Sequence, residues 1–133
     1  MNHWSAALVG LPYVPRGRTL EGFDCWGCVR LALASAGVSV PAYDGVDPED
    51  TATKSRLFQQ GAGTDAWRRV SAPAEFDVAL FRMGRHDSHV GIVVSPTQML
   101  HADRRAGQSV VESFDSVKWA NRLVGFYRHM DIA

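Results

Sequence analysis

Gly22-Phe23-Asp24-Cys25-Trp26-Gly27-Cys28-Val29-Arg30-Leu31 marks an abrupt change of pattern in the chain. A loop rich in Gly, Pro and Arg precedes it. Within it Cys25, Cys28, Val29, Ala32, Leu33 and Ala36 begin to recur at helical spacing, and Gly37 stops the run. Asp24 reads as the N-cap, which puts Cys25 in the first helical turn beside unpaired backbone N–H groups and the positive end of the helix dipole. Both favour a thiolate, so Cys25 is the candidate nucleophile. Making an ordinary thiol mostly ionised at neutral pH needs about 3–4 kcal/mol, whereas a helix terminus supplies about 0.3–1 kcal/mol. A cationic partner is required, and the rest of the chain is searched for a histidine and a third group to orient it.

Length and composition narrow the alternatives. At 133 residues the chain is one domain, 1–133, large enough to bury a core without metals or disulfides. Fourteen basic and fourteen acidic residues balance, so no bulk attraction to nucleic acid or an anionic membrane is implied. No apolar stretch approaches the ~20 residues needed to span a bilayer, and the N-terminus lacks the pattern of a signal peptide. The sequence-based expectation is a chain made in the cytoplasm, without a cofactor.

Upstream of the helix, residues 2–10 read as a short helix on the core, and Leu11-Pro12-Tyr13-Val14-Pro15 as a loop that delivers Tyr13 towards Cys25. A tyrosine so placed could donate to an oxyanion. Asp47-Pro48-Glu49-Asp50 reads as the start of a second helix with Asp47 as cap, ending at Gly61, with a thin apolar face that suits the surface. Residues 66–74 read as a connection. From Phe76 the period changes to two, and strands are expected over 76–83, 88–94, 98–102, 109–113 and 123–128. Short connections make neighbours antiparallel, and helices followed by a sheet make an α+β domain.

Two histidines share one expected hairpin. If Val94 pairs with Gln98 across Ser95-Pro96-Thr97, opposite residues sum to 192, and His89 faces Asp103 with His101 on the diagonal. Both rings then project from one face, with β-carbons about 7–8 Å apart or less. A shift of one residue would separate them. Gly91, between them, leaves room for a helix terminus to approach. In this geometry His89 takes the Cys25 proton, and His101 accepts a hydrogen bond from the far nitrogen of His89 and fixes its tautomer.

Other chemistry is open to the same residues. His86, Asp87, His89, His101 and Asp103 are zinc-ligand types, without a compact helical ligand motif. Cys25-Trp26-Gly27-Cys28 is formally a C-x-x-C at a helix start, but lacks the preceding strand of a thioredoxin-like site. The reading taken forward has no metal, with Cys28 packed on the buried face.

Taken together, the motifs resemble the NlpC family of bacterial and phage cysteine peptidases, which cleave peptidoglycan stem peptides on a papain-like core. Pro12-Tyr13-Val14 with Gly22-Phe23-Asp24-Cys25-Trp26-Gly27 is similar to the family's Tyr loop and nucleophile motif. Phe76 to Phe81 resembles the strand before the catalytic histidine, His89 to Val93 the histidine motif, and Leu100-His101-Ala102 the third, polar member. The resemblance implies N-terminal helices on a five- to six-stranded antiparallel sheet. It makes Cys25 the nucleophile, His89 the base and His101 the orienting residue. Tyr13 and the Cys25 N–H become oxyanion donors, and Asp24 and Trp26 neighbours of the substrate. Trp26 stands where the family commonly has serine, and Cys28 where it has an aliphatic residue. The implied substrate is the γ-D-glutamyl–diamino acid bond of a stem peptide. The compact form further suggests a component of a phage tail or gene-transfer particle, with tail proteins as partners and action at the cell wall. The competing expectations are a structural tail component with an occluded site, and an amidase or acyltransferase on the same core.

Overall fold

The computed structural model describes residues 3–132. The helix expected over 2–10 begins outside them, and Trp4–Ala7 form a single 3-10 turn. The stretch before Cys25, expected to be loop without a strand, instead forms two short strands, β1 (Arg18–Thr19) and β2 (Gly22–Phe23), a hairpin directly before α1 (Cys25–Ser35) that stands as its own two-stranded sheet. Asp24 caps α1 as expected, its Oδ1 accepting from the Gly27 N–H at 3.0 Å. At the far end Gly37 adopts φ 80°, the left-handed conformation that lets the chain leave the helix.

The second helix, α2 (Thr51–Ala62), starts later than the sequence suggested. Asp50 is its cap, accepting from the Thr53 N–H at 3.2 Å, while Asp47 accepts from Glu49 N–H in the turn before it. Pro48 therefore shapes a turn instead of opening the helix. The thin apolar face is confirmed, since only Ser55 and Phe58 of α2 are buried.

The main sheet contains β3 (Trp67–Val70), β4 (Val78–Met83), β5 (His86–Ser95), β6 (Gln98–Asp103), β7 (Gln108–Ser113) and, after the one-turn helix α3 (Val117–Ala120), β8 (Leu123–His129). All neighbours are antiparallel in the order β3-β8-β4-β5-β6-β7. Its sixth strand, β3, lies where a connection was expected. Trp67-Arg68-Arg69-Val70 carries apolar side chains only at its two ends, too few to show alternation, and it forms by pairing at the sheet edge with β8.

Strand alternation splits the core in two. Val78, Leu80, Val90, Ile92, Leu100 and Ala102 point towards α1 and pack with Cys28, Val29, Ala32 and Leu33. Ala79, Phe81, Val93, Met99 and Phe126 point the other way and meet Phe114 and Trp119. An ion pair ties the sheet's centre: fully buried Asp77 accepts from Arg128 Nε at 2.7 Å and Nη2 at 2.8 Å, and from the Ala74 N–H at 2.7 Å.

The 12–18 loop lies so close on α1 that Gly27 has no room for a side chain. A Cβ there would run into the carbonyl oxygen of Gly17 and come within 2.8 Å of the Phe23 Cβ. Gly27→Ala should therefore lower the urea midpoint, because overpacking costs about 1–3 kcal/mol against about 1 kcal/mol gained in helix propensity. The same variant should displace the loop that carries Tyr13.

Candidate active site

The β5–β6 hairpin settles which face each histidine takes. Ile92 pairs with Leu100 and Val93 with Met99, both sums of 192, but at the tip Ser95 pairs with Gln98. The expected Val94 to Gln98 pair is replaced by a bulge between Val93 and Ser95, which absorbs one residue and leaves the parity below it unchanged. His89 and His101 accordingly lie on one face, with ring centroids 5.0 Å apart and His89 Nε2 2.9 Å from His101 Nδ1.

That face is not the one α1 packs on. The space beside Gly91 is filled by its own hairpin partner strand: a Cβ there would meet Met99 Sδ at 2.8 Å and His101 Cβ at 3.3 Å. Gly91 thus lets β6 side chains crowd in next to His89, and the helix terminus approaches elsewhere. Cys25 and His89 both line a cavity of about 210 Å³, together with Ser88 and Ala102 from the helix side and with Trp119 and Tyr13. Among the described residues no hydrogen bond joins the Cys25 sulfur to His89. Such contacts commonly tighten only when substrate fills the site.

A residue outside the sequence reading completes the histidine pair. His101, fully buried, has its Nε2 2.8 Å from Glu112 Oε1. A carboxylate can only accept, so the proton of neutral His101 sits on Nε2. Its Nδ1 is then a lone pair that accepts from His89 Nε2–H, which leaves Nδ1 of His89 as the basic nitrogen. Trp119 locks the assembly: its ring stacks on His89 at 5.2 Å and 17°, stands edge-on to His101, and donates Nε1–H to Glu112 Oε2 at 3.3 Å. Burial, then His101 and the cations Lys54, Lys118 and Arg122, hold His89 well below the usual histidine range. The resting ring is neutral, a base for the thiol proton, and not the resting cation expected as partner of a thiolate at the helix start. His101 is also lowered, by burial, with Glu112 opposing.

The other candidate residues divide. Tyr13 lines the same cavity, held by its N–H on Gly107 O at 2.9 Å. Burial, and then the nearby Cys25 and Asp24, raise its pKa, so its hydroxyl remains a donor. Asp24 is buried with its oxygens taken by Gly27 N–H, Arg16 N–H and Arg18 Nη1, and it supports the helix start instead of facing the cavity. Trp26 turns into the core, donating to Pro41 O at 2.7 Å and packing near Tyr43 and Phe58. Cys28 is fully buried, and burial with the adjacent Cys25 pushes its thiol up, whereas Cys25 lines the cavity.

The zinc-type residues are not assembled. His86 bonds Thr51 Oγ1 at 2.8 Å, away from the pair. His101, Asp103 and Glu112 do bring donor atoms within 4.8 Å of one another. Both nitrogens of His101 are committed, however, and the Lys118 ammonium lies 3.7 Å from Asp103 and 3.9 Å from Glu112, supplying the positive charge there.

Comparison with known proteins gives the chain's family. A family model described as the NlpC/P60 family matches residues 10–128. The chain belongs to the NlpC/P60 family. This NlpC/P60 domain is 28% identical over 120 residues to the probable endopeptidase p60 of Listeria monocytogenes, covering 90% of the chain and 22% of that protein. It is 29% identical over 114 residues to the murein DD-endopeptidase MepS/murein LD-carboxypeptidase of Escherichia coli K12, covering 85% and 53%. The chain thus spans about half or less of these relatives' length. Among solved structures, the NlpC/p60 domain of the peptidoglycan hydrolase SagA superposes with TM-score 0.58 at 26% identity, over 92% of this chain and 89% of that one. An NLP/P60-family lipoprotein-like protein of Staphylococcus aureus matches in fold, with TM-score 0.70 at 21% identity over 96% and 39%. The expected α+β fold, helices on a five- to six-stranded antiparallel sheet, is found with six strands and is the family's fold.

Proposed function

We propose that this NlpC/P60 domain is a cysteine endopeptidase that cleaves peptidoglycan stem peptides at the γ-D-glutamyl–diamino acid bond. The observation that carries the reading is the shared cavity, where Cys25 at a helix start faces a space also lined by His89, whose basic nitrogen is set by His101 and Glu112.

The chemistry follows from those positions. His89 Nδ1 takes the thiol proton as Cys25 Sγ bonds to the scissile carbonyl carbon. The developing oxyanion accepts from the Tyr13 hydroxyl and the Cys25 N–H, one of the first-turn amides without a helical partner. Collapse breaks the C–N bond, and the leaving amine takes the proton back from His89. Water then gives His89 a proton and attacks the thioester, releasing the γ-glutamyl carboxylate and restoring the thiol.

Digestion of purified sacculi by wild type and Cys25→Ala side by side tests the reading. Soluble muropeptides with new diamino acid amino termini are expected from the wild type only. Products cut elsewhere would replace the bond assigned here, and no products would remove the enzyme reading. For delivery, the tail-particle role is kept as a proposal. Mass spectrometry of purified particles from the source tests it: absence of the chain would end that role and leave the peptidase assignment standing.

A further inference from the structure

The cavity is walled by cations drawn from separate parts of the chain. Lys54 comes from α2, Arg104 and Arg105 from the β6–β7 turn, Lys118 from α3 and Arg122 from the turn before β8. Charge over the whole chain sums to zero, so this convergence is local. Two of the five are matched: Arg104 pairs with Glu49, and Lys118 lies near Asp103 and Glu112. Lys54, Arg105 and Arg122 have no ion pair among the described residues; Lys54 donates to the Pro48 carbonyl at 3.2 Å, and the Arg122 guanidinium lies 5.8 Å from the Trp119 ring. Three unmatched positive groups around a cavity make a site for negative charge.

We infer that Lys54, Arg105 and Arg122 select stem peptides whose carboxylates beside the scissile bond are free, and discriminate against stems carrying carboxamides there. The inference rests on the stem-peptide reading above and adds the chemical state of the substrate. A guanidinium offers paired N–H donors matched to a carboxylate, and an amide returns neither the charge nor both acceptors. Lys54 and Arg122 are close enough to shape the charge state of His89, so their field reaches the reacting centre. Together these groups make the acidic face of the stem the part that anchors it.

The test uses two synthetic stem peptides that differ only in having free carboxylates or carboxamides on the γ-linked glutamate and the diamino acid. Titration into the Cys25→Ala protein should give a Kd at least about tenfold lower for the free acid, the effect of one charge-assisted contact. The Arg105→Gln/Arg122→Gln protein, in the same background, should bring that ratio close to one, and raising the salt should shrink it in the parent. Both side chains are exposed, and unchanged circular dichroism and melting confirm that the variant is folded. Equal Kd values in the parent, or a ratio the double variant leaves intact, would overturn the selectivity. Turnover is read separately: tight binding of the free acid with neither peptide cleaved by wild type would sink the endopeptidase reading and leave the anion selectivity in place.

Discussion

His89→Ala will lower stem-peptide hydrolysis by about 10²–10⁴-fold, the contribution of a positioned general base, with the fold intact by circular dichroism. His101→Ala should cost less, about 10²-fold, because His89 keeps its ring but loses the acceptor that dictates where its proton sits. Glu112 separates charge from geometry. Glu112→Gln retains an oxygen that can accept from His101 Nε2–H and should stay within about tenfold of wild type, whereas Glu112→Ala should fall to the level of His101→Ala. If Glu112 acts through His101 and not through the Trp119 indole that also donates to it, the double alanine variant should be no slower than His101→Ala alone. A multiplicative loss would mean that Glu112 works by another route.

The same groups give a pH dependence with a definite sign. His89 and His101 are both lowered in the folded protein, chiefly by burial. The unfolded chain takes up protons near the ordinary histidine pKa of about 6.5 while the folded one does not, so this contribution to stability is complete above that pH and is lost as pH falls below it. Melting temperature should drop between neutral pH and mild acid. The acid limb of kcat/KM should lie below the ordinary histidine range, since His89 stays a base until the solution is more acidic.

Asp24→Ala carries the largest expected loss of stability, about 3–5 kcal/mol, measured by chemical denaturation. The carboxylate is buried, caps α1, accepts from Arg16 N–H and pairs with Arg18 Nη1 at 2.8 Å. Arg18 in turn donates Nε–H to Ala42 O at 2.6 Å and Nη1–H to Gly17 O at 2.7 Å. Removing Asp24 leaves a guanidinium with little solvent access, strips the cap and frees the hairpin before the helix. Asp24→Asn keeps an acceptor for the cap and should lose less. If Asp24→Ala melted like wild type, the ion pair would contribute nothing.

The hairpin shows why so much of this was legible in the chain. β4, β5 and β6 are legible as short apolar runs, Val78-Ala79-Leu80-Phe81 above all, because both their faces are buried, one against α1 and the other against the second core, and the register follows from which side chains belong to which core. A helix-start cysteine followed by apolar residues at helical spacing was equally plain. Less visible was anything dependent on a neighbour far along the chain. The β3 edge strand exists through pairing with β8, Trp26 reads as a neighbour of the substrate until Tyr43 and Phe58 are placed around it, and Asp24 reads the same way, beyond its capping role, until Arg18 folds over it. Glu112 could have been found: in the β6–β7 register Val110 stands opposite His101, and an acid two positions on from Val110 shares its face. The missing step was the turn length that sets that register.

Trp119 gives the molecule a natural optical gauge. Its indole lies almost parallel to the imidazole of His89, and a protonated imidazole quenches indole emission at such range. Light from this one ring, isolated by subtracting the spectrum of a phenylalanine replacement, therefore follows the ionisation of the base together with that of His101, whose ring stands edge-on to the same indole, with no added dye and no turnover.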